Sequence, residues 1–214
     1  MMQSQNEQRK TPFNHFISLL VSKILLLISL NLLFILTSIP LFTLPISISS
    51  MQKVIQGMIS GKEQPSVFKA YFSAFKTNFV QSSLFGIPLI GILFGIGYGA
   101  YFYYLNSDSI LFVTMSILSI LLFVLVYCVS LMGFQMITSV ELSLKIIIKN
   151  SVILTFSNPK ISLIGGVFSL GIVGLGIWFF PYSTPLLLLI IFSLSSYVST
   201  FIAYPMIQKY IIKR

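Results

Sequence analysis

Charged residues are scarce in this chain of 214 residues: they make up 8% of it, and only four are acidic. Soluble domains carry about 25% charged residues, and a globule with so few would expose apolar patches large enough to drive aggregation. Apolar residues make up 56%, and the mean hydropathy is +0.97. The sequence therefore predicts one integral membrane domain over residues 1–214, because no polar segment is long enough to fold separately.

The groups that usually perform catalysis or bind metals are also few. The chain has one histidine (His15), one cysteine (Cys128) and no HExxH motif or paired carboxylates. This set offers neither a metal site nor a general acid–base pair. We therefore expect no enzymatic activity and no cofactor. Cys128 lies in an apolar run, where we expect it to act as a small packed hydrophobic side chain.

The formal net charge of +9 does not predict a nucleic-acid-binding protein. The lysines stand in ones and twos at the ends of apolar runs, with no basic stripe or recognition motif. This placement is typical of residues that set the orientation of a membrane protein and contact anionic lipids. We expect the lipid bilayer as a partner and no nucleic acid.

The apolar runs predict an all-α, polytopic transmembrane helical bundle whose helices pair in hairpins. A polar tail over 1–15 comes first. The predicted spans are 16–39, 46–60, 82–104, 109–133, 161–181 and 185–205. Two amphipathic segments, 62–80 and 134–160, are expected at the cytoplasmic interface. Proline is disfavoured inside helices, so Pro40 and Pro45 are expected to bracket a turn.

The segment 46–60 is ambiguous. At 1.5 Å per residue it reaches about 22 Å, short of a hydrocarbon core of about 30 Å. It either crosses among other helices, which gives six spans, or lies in the interface, which gives five. With six spans, all lysines and arginines that lie outside the spans fall on the same side of the membrane, as the positive-inside rule requires. We favour six spans in a bacterial inner membrane, with both termini in the cytoplasm.

Two stripes of polar side chains fall on helical faces, one in 46–60 and one in the last span. The candidate cavity residues are Ser49, Gln52, Lys53, Gln56, Ser193, Ser196, Tyr197 and Thr200. Lys53 is a functional candidate because ionisable residues at membrane depth are rare. We expect the first stripe to meet water or headgroups and the second to supply interhelical hydrogen bonds. Alternatively, the two stripes line one polar cavity or substrate path.

The segment 62–80 is predicted to form a helix with an aromatic face and a basic face, suited to a membrane surface. The candidate interfacial or docking residues are Phe68, Lys69, Phe72, Phe75, Lys76, Asn78 and Phe79. A third pattern consists of Gly91, Gly95 and Gly99, spaced four apart. Small residues at this spacing let helices approach closely. We expect packing within the chain, with dimerisation as the alternative.

The stretch NLLFILTSIPLFTLP, followed by a short helix and GKEQPSVFKAYFSAFKTNFVQSSLFG, resembles the YesL-like family of small bacterial membrane proteins. The matching residues are Asn31, Pro40, Phe72, Phe75, Lys76, Asn78 and Phe79. A later stretch, LSLKIIIKNSVILTFSNPK, looks like the second cytoplasmic helix of that family. The resemblance implies a protein without an established biochemical function, associated in some settings with carbohydrate uptake.

Two functions remain open at this point. The lack of catalytic groups, together with two amphipathic cytoplasmic segments, favours an accessory or scaffold protein bound to a transport or envelope protein. The alternative is a permease or channel for a small polar solute along the Lys53 and Ser196 faces. The sequence does not determine the oligomeric state.

Overall fold

The computed structural model describes residues 12–61 and 66–212, and within them the regular structure is helical, without strands. The helices are α1 (Pro12–Ser22), α2 (Ile24–Ser38), α3 (Leu44–Ile59), α4 (Val67–Thr77), α5 (Phe79–Leu105), α6 (Ile110–Ser139), α7 (Leu144–Ser157), α8 (Pro159–Trp178) and α9 (Thr184–Ile212). A 3-10 turn, Leu41–Thr43, joins α2 to α3. The chain of α9 passes through a π-helical segment, Leu187–Ile191, near its start.

Four helices, α5, α6, α8 and α9, are long and apolar enough to cross a membrane. The α1 and α2 helices meet at a bend of 70° and would make a fifth span if they cross together. The chain is therefore an all-helical, multi-pass membrane protein with four or five apolar spans. The predicted sixth span, 46–60, is not confirmed, because α3 has sixteen residues and carries polar side chains along its length.

The α3 helix is enclosed by other helices. Eleven of its sixteen residues are buried. Its start packs so tightly on α5 that a Cβ on Gly86 would collide with the Pro45 ring. Gly86 is the eighth of 27 residues in α5, so the turn between α2 and α3 lies beside the first third of that helix. After α3, the Ser60 hydroxyl donates to the Tyr204 hydroxyl at 3.2 Å, close to the end of α9.

The four long helices form two antiparallel hairpins, α5–α6 and α8–α9. Phe85 near the start of α5 packs on Gly133 near the end of α6. The hairpins meet where the Tyr127 hydroxyl lies 2.8 Å from the Ser169 hydroxyl. Their open ends therefore share one end of the bundle, here called the basic end. Its lysines are Lys69, Lys76, Lys145, Lys149, Lys160 and Lys209, whereas the turns 105–109 and 179–183 contain none.

The segment 134–160, expected at the interface, divides between three helices. The α6 helix continues to Ser139, α7 occupies Leu144–Ser157, and α8 begins at Pro159. Ile147 and Leu154 bury one face of α7 in the same hydrophobic cluster as Met136 and Ile207. The expected helix is present, and it packs on the bundle through an apolar face.

Candidate functional site: two polar cavities along α3

A cavity of about 770 Å³ opens at the basic end of the bundle. It lies between α3, α4 and the last turns of α6 and α9, and we call it the lysine cavity. Lys53 lines it, and its Nζ donates a hydrogen bond to the Thr138 backbone carbonyl. Gln56 lines it one turn later, and its Nε2 donates to the Gln135 carbonyl at 3.1 Å. The lining also includes Glu141, so both signs of charge border this space.

A second cavity of about 170 Å³ is bordered by α2, α3, α5, α6, α8 and α9. We call it the serine cavity after four of its hydroxyl groups, Ser169, Ser195, Ser196 and Ser199. Three of its polar groups form a chain, in which the Ser169 hydroxyl lies 2.8 Å from both the Tyr127 and the Ser195 hydroxyls. This chain joins α6, α8 and α9 at the depth where the hairpins meet.

Successive turns of α3 line the two cavities. Gln52 lines the serine cavity and Gln56 lines the lysine cavity. Residues four apart on a helix lie about 5–6 Å from each other. At the same level, the buried Gln135 Nε2 donates to Thr200 Oγ1 at 3.4 Å, which ties α6 to α9. The polar stripe of α3 therefore meets two separate spaces.

Four of the eight predicted cavity residues line a cavity. Gln52 and Ser196 share the serine cavity, and Lys53 and Gln56 share the lysine cavity. The other four connect helices: Ser49 accepts from Ser82 at 2.7 Å, Tyr197 donates to the Phe16 carbonyl at 2.9 Å, Thr200 accepts from Gln135, and the Ser193 amide donates to Asn31. The two stripes therefore meet at the serine cavity through Gln52 and Ser196, whereas Lys53 and Gln56 line a separate space.

Asn31 of α2 donates hydrogen bonds to the first π-helical segment of α9, Leu187–Ile191. Asn31 is fully buried, and its Nδ2 donates to the carbonyls of Leu187 and Leu188, at 2.8 Å each. Its Oδ1 accepts from the Ser193 amide at 3.0 Å. A π-helical turn interrupts the regular backbone ladder, and backbone groups inside a membrane need partners within the protein. The sequence signal for this contact is a lone amide in an apolar run, which also belongs to the pattern that resembles the family.

The aromatic face of α4 packs largely on the protein itself. Phe72 and Phe75 are half-buried against Tyr71, which is fully buried. The Tyr71 hydroxyl lies 2.6 Å from Thr37 Oγ1. Burial raises the pKa of Tyr71, and its hydrogen bonds to Thr37 and Ser47 offset part of that rise. These contacts anchor α4 to α2 and α3.

The outer edge of α4 remains exposed. Phe68 is 59% exposed and Phe79, the first residue of α5, is 41% exposed. Lys69 and Lys76 are also exposed. Asn78 is buried and lines the lysine cavity. The surface available for docking on this segment is therefore narrower than the sequence predicts.

The predicted close packing within the chain is absent at Gly91, Gly95 and Gly99. A Cβ at any of these positions would meet no atom within 4 Å. The tight positions are other glycines, Gly86, Gly133, Gly166 and Gly176, where a Cβ would collide with a neighbouring side chain. Dimerisation through the first three stays a prediction.

Residues 27–99 match a family model. The family is described as protein of unknown function, DUF624. The match covers about a third of the chain and runs from α2 into α5, so it includes Asn31, Lys53 and all of α4. No curated protein and no solved structure matches the chain significantly. The match supports a relationship to a family of uncharacterised proteins, while the YesL-like name stays a prediction.

Proposed function

We propose that this protein carries a small polar solute across a membrane along a path made by the lysine and serine cavities. The observation that supports this role best is the position of α3, which is enclosed by other helices yet presents Gln52 and Gln56 to one cavity each. Polar groups inside a membrane protein are costly to bury and often mark substrate pathways.

The distribution of lysines supports an orientation for this path. By the positive-inside rule the basic end would face the cytoplasm of a bacterial inner membrane. Both termini would share that side with four spans, in which α1 and α2 do not cross together. The lysine cavity would then be a cytoplasmic vestibule, and the serine cavity a compartment deeper in the bundle. Neither compartment requires a chemical step, so the proposed role is not enzymatic.

Flux into proteoliposomes tests this proposal. Glycerol and urea are used as permeants, and vesicle swelling is followed by stopped-flow light scattering. Lys53→Met should lower the rate about tenfold, because it removes a charge-assisted hydrogen-bonding group of the vestibule. Lys149→Met, on an exposed position of α7 outside both cavities, is the matched control and should leave the rate unchanged. Rates equal to those of empty vesicles for both permeants would contradict a carrier role.

A second candidate, an accessory or scaffold subunit of a transport or envelope system, is favoured by the exposed edge of α4. Phe68 and Lys69 point away from the bundle there. Crosslinking in native membranes should capture one defined protein with the wild-type chain and lose it with Phe68→Ser. Phe94→Ser, at an exposed position of α5, is the control. Equal capture by both variants would argue against docking through α4.

A further inference from the structure

Two side chains that line the serine cavity each carry a buried polar atom with no hydrogen-bond partner among the residues that the structure describes. Gln52 is 1% exposed and Ser196 is 7% exposed, and neither Gln52 Oε1 nor Ser196 Oγ is paired. Three other hydroxyls of the same lining, those of Tyr127, Ser169 and Ser195, are paired because they form a chain of hydrogen bonds. Native proteins pair nearly all buried polar atoms. Two unpaired atoms at one cavity therefore point to a group that enters the cavity and pairs with them.

The chemistry of these two atoms specifies that group. An amide oxygen such as Gln52 Oε1 can only accept a hydrogen bond, whereas a serine hydroxyl can donate or accept. The entering molecule must therefore carry a donor for Gln52. Ser196 can pair with a donor or an acceptor of the same molecule.

The other residues that line the serine cavity make it unfavourable for a charged ligand. Among the described residues that border this cavity, none is acidic, basic or histidine. An ion taken into such a space would lose its hydration without gaining a counter-charge, which is strongly unfavourable. Three phenyl rings, those of Phe34, Phe134 and Phe192, also border it and provide apolar contact surface. The lysine cavity differs, since Lys53 and Glu141 line it.

We infer that the serine cavity binds a small uncharged molecule with a hydrogen-bond donor on an apolar body, such as an alcohol, a phenol or a primary amide. The donor pairs with Gln52 Oε1 and the apolar body contacts the phenyl rings. The volume of about 170 Å³ limits the ligand to a small molecule. This inference rests on the proposed solute-binding role and names the class of solute that reaches the inner compartment.

Equilibrium dialysis of the full chain in detergent tests the inference with three probes of similar size. Phenol has the donor, anisole lacks it, and benzoate carries a charge. Detergent without protein gives the background for each probe. Phenol should bind saturably, at about one molecule per chain, and anisole and benzoate at least about tenfold more weakly. The tenfold difference is what one hydrogen bond in a buried site contributes.

Two variants identify the site. Gln52→Leu keeps a similar volume but removes the acceptor, and it should weaken phenol binding about tenfold while the chain stays folded, as checked by thermal unfolding. Ser196→Ala should weaken binding to a smaller extent, because its hydroxyl is the second partner. Ser119→Ala, on α6 and outside both cavities, is the control for the serine substitution and should bind phenol like the wild type.

The possible results separate this inference from the carrier role. Absence of saturable phenol binding, equal binding of phenol and anisole, or unchanged binding by Gln52→Leu would each overturn the inference. Lys53-dependent flux of glycerol or urea could still be observed in those cases, and the carrier role would stand. Conversely, Gln52-dependent phenol binding without any flux would overturn the carrier role and leave the binding site in place.

Discussion

Replacing Asn31 with leucine gives the most direct test of how the bundle is held together. The Asn31 side chain makes three hydrogen bonds to the backbone of α9, two to carbonyls and one from the Ser193 amide. Leucine has a similar volume and suits an apolar helix, so the substitution removes the hydrogen bonds with little change in packing. All three backbone groups lie beside a fully buried side chain, where water cannot replace the lost partner.

The size of the effect follows from the three groups. A buried amide without an acceptor costs about 1–3 kcal/mol. Each carbonyl has a second lone pair, so the loss of one hydrogen bond to it costs less stability. The average for hydrogen bonds between membrane helices is about 0.6 kcal/mol. We therefore expect Asn31→Leu to lower the free energy of unfolding by about 2–4 kcal/mol. Asn31→Asp should be at least as destabilising at neutral pH, because a carboxylate cannot donate to Leu187 or Leu188.

Unfolding in mixed micelles, titrated with a denaturing detergent, measures this change. The matched control is Asn106→Leu, because Asn106 is exposed in the turn after α5 and its amide bonds only to Phe102 of its own helix. The control should change the free energy of unfolding by less than about 0.5 kcal/mol. Hydrogen exchange gives a local measurement, and the Ser193 amide should exchange faster in Asn31→Leu. Equal stability of the two variants would show that the π-helical segment does not depend on Asn31.

Two further substitutions test the packing. Gly133→Ala should destabilise the chain by about 1–3 kcal/mol, because the new methyl group collides with the Phe85 ring. Gly95→Ala is the control and should be neutral or slightly stabilising in the same unfolding assay. Equal effects of the two substitutions would place the α5–α6 contact elsewhere. Tyr71→Phe should cost about 1 kcal/mol through the lost hydrogen bond to Thr37, and Tyr98→Phe, at an exposed position, should cost nothing measurable.

The long helices were predictable from the sequence because hydrophobic runs of this length have one stable arrangement in a bilayer. The predicted span 82–104 corresponds to α5, Phe79–Leu105, and 161–181 corresponds to α8, Pro159–Trp178. The predicted span 109–133 ends earlier than the helix it corresponds to, because α6 continues to Ser139. Residues 134–138 are buried in the bundle, so membrane thickness does not limit the helix there.

The candidate site was only partly predictable. A polar stripe on a helix shows which residues share a face, but it does not show what that face contacts. Lys53 and Gln52 are adjacent in the sequence, yet they line different cavities because the last turns of α6 pack beside one and the interior of α9 beside the other. Contacts of this kind depend on helices that are distant in the chain. The same reason explains why the spacing of Gly91, Gly95 and Gly99 did not predict their surroundings.

The α3 helix fits neither of the two arrangements predicted for 46–60, a membrane span or a helix lying in the interface. A span of sixteen residues with a polar stripe would be too short and too polar for lipid, and a surface helix would leave Ile46, Val54 and Ile55 exposed to water. The structure encloses α3 in other helices, so its apolar side chains are buried in protein and its amides meet cavities or backbone carbonyls. A helix enclosed by other helices can carry polar side chains such as Gln52 and Gln56, which would be costly in contact with lipid. If Gln52→Leu neither raises stability nor changes ligand binding, this account of why α3 is polar must be abandoned.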